Sequence, residues 1–417
     1  MSLISENLPD TPRLPRIPDP ARVQRIASDA QALEAAHRLA ATFAVGASQR
    51  DRERRLPWDE LHLWSESGLG GITVPREHGG ADVSYATLAE VFVILCAADP
   101  ALGQIPQNHF GLLGVLREVG TEAQKQRLYG EVLAGRRLGN GGPERRSKDA
   151  ATILQGTTRL VRTPQGLRLS GRRFYSTGAL FAHRIPSRAL DDDGRAVQVW
   201  VPRDAPGLTV IDDWSSFGQR TTASGSVVFE NVAIDEADVL PIWQLADRPG
   251  LFGPNSQIVQ AAIDQGIAEA AVADAISFVR EKARPWMDSG VAHAHDDPYI
   301  IADLGRLQID LHAAREVLLE TGRLFDEIAT QPLTEASSAR ASVAVAEAKV
   351  LTTRIALEAS EKLFELAGSS ATRAQHNLDR HWRNARTHTL HDPVRWKVQL
   401  VGNHLLNGVL PARHSWN

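Results

Sequence analysis

Residues 254–283 read PNSQIVQAAIDQGIAEAAVADAISFVREKA, and with 296–331 and 335–367 they decide the architecture. In each, apolar residues recur at three- and four-residue steps over roughly eight turns, which lines one face of an α-helix. A fourth helix is predicted over 392–409, after an irregular, histidine-rich stretch at 368–391. Four long helices with short connections make a bundle.

Moving toward the N-terminus, the period changes. Between about 136 and 243 apolar residues alternate, as in Val197-Gln198-Val199-Trp200-Val201, and turn signals such as Thr163-Pro164-Gln165-Gly166 separate the runs. That texture belongs to strands. Residues 21–135 return to helical spacing. Ser28 is placed to cap a first helix, Thr121 and Gln124 form a capping box, and Pro57 opens a short segment that Gly68 closes. Pro9, Pro12, Pro15, Pro18 and Pro20 forbid a helix before that. They predict an extended arm, either loose or packed on a partner. The expected fold is α+β and multidomain: an arm (1–20), an N-terminal helical domain (21–135), a small middle β-domain built as a barrel or sandwich (136–243), and a C-terminal four-helix bundle (244–417). No βαβ alternation and no GxGxxG occurs, so a dinucleotide-binding Rossmann sheet is excluded.

The composition narrows the functional classes. At roughly 150 residues per domain, 417 residues allow about three domains. With 43% hydrophobic and 23% charged residues the chain is not globally disordered. A formal charge of −4 carries no basic footprint for nucleic acid. No 18-residue apolar run and no secretory h-region is seen, so a soluble, cytoplasmic protein with no membrane partner is expected. The single cysteine, Cys96, forms no intrachain disulfide and no cysteine zinc site, and it falls on the apolar face of a predicted helix. His293-Ala294-His295-Asp296-Asp297 resembles a metal tract, but it joins two helices and no metal is predicted there.

Four segments occur in the order of one family: GLGGITVPREHGG (68–80), GNGGPERRSKDA (139–150), LSGRRFYSTGA (169–179) and PGLTVIDDWSSFGQRTTASGSVVFENVAI (206–234). Together they resemble the acyl-CoA dehydrogenase superfamily over nearly the whole chain. The segment LDRHWRNARTHTLHDPV (378–394), with Ala283-Arg284-Pro285-Trp286 and Asp296-Asp297-Pro298-Tyr299, resembles its monooxygenase branch. That branch holds the dibenzothiophene monooxygenases and the sulfur-acquisition oxidoreductases linked to dimethyl-sulfone use. The resemblance implies a flavoprotein and a homotetramer, with the flavin ring between the β-domain and the bundle.

A flavin dehydrogenase of acyl-CoA needs a carboxylate to remove the α-proton. Where the family carries glutamate before the last helix, this chain reads Thr389-Leu390-His391-Asp392-Pro393. Asp392 and Asp264 remain the possible bases of an alternative, FAD-dependent acyl-CoA dehydrogenase. The resemblance instead implies that reduced flavin reacts with O2 to a C4a-peroxide, which oxygenates a small organosulfur substrate. That chemistry calls for a hydrogen-bond donor near the flavin, a group of near-neutral pKa and a dry enclosure. On this reading Ser176 faces the flavin N5, flanked by Phe174 and Thr177. His391 handles the peroxide proton with His388 behind it, Asn140 lines the pocket and His109 closes over the flavin. Segments 184–188 and 242–253 are expected to line or gate it.

FAD-binding relatives seat the adenosine with a Gly-Gly loop and an Arg-x-Gln-Phe-Gly run, but here these read Ala367-Gly368-Ser369-Ser370 and Arg284-Pro285-Trp286-Met287. A single phosphate anchored by Arg284, Lys282 and Arg373 remains. The expected cofactor is therefore FMN, supplied reduced by a separate reductase because no nicotinamide motif is present, with FAD as the alternative.

Overall fold

The computed structural model describes residues 13–144, 156–246, 248–414 and 416–417. Pro9 and Pro12 of the arm and residues 145–150 of the second family segment lie outside them. Pro15, Pro18 and Pro20 run through non-helical chain.

The first unit contains α1 (Asp29–Ala44), α2 (Ala47–Glu53), α3 (Trp58–Glu66), α4 (Tyr85–Ala98), α5 (Pro100–Gln104), α6 (Gln107–Val119) and α7 (Glu122–Leu133). Ser28 caps α1 by accepting from the Gln31 amide, and Thr121 and Gln124 form the reciprocal capping box of α7. The Gln124 amide also donates to the carbonyls of Ala237 and Val239, both at 3.0 Å, which ties α7 to the strands. Gly68 ends the α3 segment at φ 79°, and a Cβ there would meet the Gln24 carbonyl at 2.1 Å. Only glycine satisfies both demands.

The middle unit is one seven-stranded mixed sheet with order β5-β6-β2-β1-β3-β4-β7. Its strands are β1 (Arg159–Thr163), β2 (Gly166–Arg173), β3 (Arg184–Leu190), β4 (Ala196–Pro202), β5 (Leu208–Ile211), β6 (Ser226–Ile234) and β7 (Val239–Leu240). All neighbours are antiparallel except β1 and β3. Arg184 of β3 forks onto Glu131 of α7 and also reaches Asp238, so the sheet is clamped to the first unit by half-buried ion pairs.

The last unit holds α8 (Phe252–Glu281), α9 (Pro298–Ala329), α10 (Glu335–Ala367), α11 (Asp379–His388) and α12 (Arg395–Asn407). The three long stripes are helices within two residues of their expected bounds, and the last helix is shorter than expected. Helix α11 corrects the reading of 368–391 as irregular. Its sequence, DRHWRNARTH, has no apolar stripe, because the face it buries is His381, Asn384, Ala385 and His388. Helix α4 packs on α8 and α9 where side chains vanish. A Cβ on Gly266 would lie 2.6 Å from the Val93 carbonyl, and one on Gly322 2.5 Å from Ala86 Cα. Cys96 is fully buried in that seam. The tract between α8 and α9 is a junction: His293 and His295 stack on each other and Asp297 caps α9. Among the described residues no helix is long and apolar enough to cross a membrane.

Candidate active site

A cavity of about 1360 Å³ opens where the sheet meets α11 and α12. Its sheet wall is built by Phe174, Tyr175 and the loop after β5, and its helical wall by His391, Asp392 and Trp396. Residues 409–412, His414, Trp416 and Asn417 border it on the C-terminal side.

The sheet wall is shaped by main chain. Tyr175 sits in the left-handed region at φ 50°, rare for an aromatic residue, and its ring meets Trp214 edge-on at 6.0 Å. Strain of this kind persists where the surroundings dictate it. Here the Ser176 amide donates to the Gly225 carbonyl and the Ser176 hydroxyl accepts from the Gly142 amide at 3.2 Å. The Thr177 hydroxyl bonds Ser224, and the Thr177 carbonyl accepts from the Asn140 amide. The loop after β5 is pinned to α11. The Gln219 amide donates to Asn384 Oδ1 at 2.7 Å, and a Cβ on Gly218 would strike the Arg383 carbonyl at 1.9 Å.

The helical wall is held by charge. Asp264 of α8 is fully buried. Its Oδ2 accepts from Lys349 Nζ (2.7 Å) and Thr353 Oγ1 (3.0 Å) of α10, and its Oδ1 from His388 Nδ1 at 2.5 Å. Burial alone would raise the carboxyl, but Lys349 and then His388 outweigh it and hold Asp264 well below the usual carboxylate range. Burial lowers His388, and its contact with Asp264 opposes that shift. One helical turn on, His391 donates Nδ1–H to the His388 carbonyl at 3.3 Å and stands 3.5 Å from the Gln107 amide. Its open surface faces the cavity, while burial, then His388 and Lys349, push its imidazole down to about 3.

Among the described residues three side-chain carboxylates reach the cavity wall, and each has at least one oxygen engaged. Glu144 binds the Thr157 and Thr158 amides and Arg173; these outweigh burial and bring it to about 2. Asp213 accepts from the amide and hydroxyl of Ser226. Asp392 pairs with Lys397 at 3.4 Å. Asp264 is sealed inside the bundle and cannot act as a base on anything in the cavity.

Of the expected site residues, His391 and Phe174 line the cavity. Ser176, Thr177 and Asn140 stand directly behind its sheet wall, and His388 behind its helical wall. His109 is elsewhere. Its Nε2 bonds the Gly70 carbonyl at 2.8 Å, its Nδ1 accepts from the Leu138 amide at 3.1 Å, and burial brings it down to about 4. Arg284, Lys282 and Arg373 are exposed beyond the end of α8 and touch no part of the cavity within one chain; Lys282 lies over Phe278. No described residue of segments 184–188 and 242–253 lines the cavity either, and Arg184 is held by Glu131. Sequence reasoning missed Lys349, Gln107, Trp214 and Trp396. For Lys349 and Asp264 a signal existed: each is a charge inside an apolar helical stripe.

The cavity was tested for a flavin. Its volume exceeds the roughly 300–1,000 Å³ that encloses a drug-sized ligand, which leaves room for a flavin head beside a substrate. Phe174, Tyr175 and Trp214 supply aromatic surface to the sheet side of the cavity. Buried Gln107 Oε1 and Asp392 Oδ1 have no partner among the described residues and stand at the helical wall. The residues fit such a group.

Comparison with known proteins agrees. Family models match twice, as acyl-CoA dehydrogenase N-terminal domain over residues 28–136 and C-terminal domain over 258–396. Dibenzothiophene monooxygenase of Rhodococcus erythropolis is 32% identical over 403 residues, covering 93% of this chain and 96% of that one. The probable FMNH2-dependent monooxygenase SfnC of Pseudomonas putida is 28% identical, covering 91% and 96%. The crystal structure of FMN-bound TdsC from Paenibacillus sp. superposes with a TM-score of 0.87 at 30% identity, covering 93% of this chain and all of that one.

Proposed function

The chain belongs to the acyl-CoA dehydrogenase superfamily, in its branch of flavin-dependent monooxygenases, and we propose that it receives reduced FMN from a separate reductase and uses O2 to oxygenate a small organosulfur compound in sulfur acquisition. The observation that carries this reading is the state of the cavity wall. Among the described residues its three side-chain carboxylates each bind a cation or hydrogen-bond donors. The titratable group beside them is His391, an imidazole held well below the near-neutral value expected of it and so present in the neutral form, able to accept a proton or hydrogen bond at Nε2. When bound, reduced FMN supplies the electrons that activate O2.

The chain's own residues do the rest. Phe174, Tyr175 and Trp214 flank the ring and keep water from one face. Ser176, Thr177 and Asn140 fix the strand ends behind it, so the wall is preorganised before ligand arrives. His391 accepts and returns a proton at Nε2, its Nδ1–H being held by the His388 carbonyl. Arg284, Lys282 and Arg373 meet a phosphate only if they reach the cavity of a neighbouring copy. That matches a homotetramer, as do exposed Tyr299, Ile309, Leu405 and Leu406.

The test supplies FMNH2 and O2 with sulfones, sulfides and thiophenes and reads products by mass. An oxygenated product is expected; hydrogen peroxide alone across the panel rejects the reading. A second reading, an FAD-dependent acyl-CoA dehydrogenase using Asp392, draws on its unpartnered Oδ1. Bleaching of bound flavin by an acyl-CoA without oxygen would favour it, as would FAD released on denaturation.

A further inference from the structure

The bundle interior contains a charged group that the site chemistry above does not use. Lys349 and Asp264 are 1% and 0% exposed and form an ion pair between α10 and α8, far from bulk water. Replacing such a pair by apolar residues is often neutral for stability, so its presence calls for another explanation. What it touches supplies one. A carboxylate only accepts, so the 2.5 Å contact with Asp264 Oδ1 requires a proton on His388 Nδ1, and in the neutral ring the lone pair then lies on Nε2. That Nε2 is buried and has no partner among the described residues. The His388 main chain, anchored by its side chain, presents the carbonyl that receives Nδ1–H of His391, whose ring centroid lies 5.0 Å from that of His388.

We propose that Lys349 and Asp264 are positioning residues that fix the tautomer of His388 and, through its carbonyl, set the orientation of the His391 ring at the cavity wall, where its Nε2 lies 3.5 Å from Gln107 Nε2. Lys349 neutralises the carboxylate so that Asp264 orients His388 without charging it, and Thr353 fixes the remaining lone pair. The groups facing the two histidines are Asp264 from α8, Lys349 from α10 and Asp392 beside them; Lys397 of α12 faces Asp392 and Lys349, and Cys96 of α4 faces Asp264. The geometry stands by itself; its consequence for turnover rests on the monooxygenase reading.

Two measurements separate the two claims. On flavin-free protein, carbethoxylation of the peptide bearing His391 is followed by mass spectrometry across pH. On protein supplied with reduced FMN, the ratio of oxygenated product to hydrogen peroxide is read. In Asp264→Asn we expect His391 to react about threefold faster, because the carbonyl that holds its ring is released. The product ratio should fall about tenfold, with FMN affinity kept within about threefold. In Lys349→Met the unneutralised carboxylate lets His388 take a proton, so the acid limb of product formation moves up by about one pH unit. Thr353→Val removes one hydrogen bond at nearly constant volume and should shift both readouts in the same direction by less, even where the charge variants fold poorly. Folded Asp264→Asn and Thr353→Val proteins whose His391 reactivity and product ratio stay within about twofold of the parent would overturn the proposal. Altered His391 reactivity in a protein whose parent makes no product would keep the positioning role and reject the monooxygenase reading.

Discussion

The two walls of the cavity are held by different physics. The sheet wall is fixed by main-chain hydrogen bonds and neutral hydroxyls: Ser176 on Gly142, Thr177 on Ser224, Asn140 on Thr177. The helical wall is fixed by buried ions, with Lys349, Asp264 and His388 sharing one fully desolvated cluster. Hydrogen bonds between neutral groups hold a shape at any ordinary pH. A buried ionic cluster also sets protonation states, and it fails as a unit when one member is lost. One wall therefore supplies form, the other chemistry.

The sharpest way to break this contrast is to remove one group from the chemical wall. His391→Ala should lower oxygenated product by about a hundredfold while FMN binding is retained, read by single-turnover product analysis. Unchanged turnover would remove His391 from the mechanism. Next in size is the joint between the walls. Gly218→Ala drives a Cβ into the Arg383 carbonyl and should cost about 2–3 kcal/mol in urea unfolding, with looser FMN binding because the sheet-side loop leaves α11.

Acid should weaken the fold by a smaller amount. Burial lowers His109 to about 4, and burial with Arg137 lowers His183 to about 3. An unfolded histidine takes a proton near pH 6.5 that these folded ones refuse, so stability is lost as pH falls below that value. Each should lose about 2 kcal/mol between about pH 7 and pH 5, and His109→Gln should remove its share of the slope. A stability flat across that range would mean that both rings are protonated in place. The smallest effect belongs to the wall of form. Ser176→Ala leaves the buried Gly142 amide unpaired and should cost about 1 kcal/mol, read by thermal unfolding. A far larger drop in turnover than in stability would bring that hydroxyl into contact with the flavin.

The same contrast explains what was legible in the sequence. Helices α8, α9 and α10 announce themselves because they bury apolar stripes, and Ser28, Thr121 and Gly68 mark ends by local chemistry that needs no tertiary context. Helix α11 was invisible for the opposite reason. Its inward residues are polar, and each is satisfied by a partner far along the chain: His381 by Asp274, Asn384 by the Gln219 amide, His388 by Asp264. Periodicity cannot report a face whose partners lie more than a hundred residues away. The motif singles out His391 in the sequence, but not what holds it, since nothing local to Lys349 says that it will meet Asp264. His109 was misplaced because a histidine beside an aromatic looks the same whether its ring nitrogens serve main chain or ligand.

A helix with an oily face can slide or roll by a fraction of a turn and still bury the same area. Helix α11 has no such freedom, because a roll of one residue would strand Asp274, the Gln219 amide and Asp264 together. Its seat works like a key with three wards: it admits a single angular setting, and the imidazole carried just past its end inherits that accuracy.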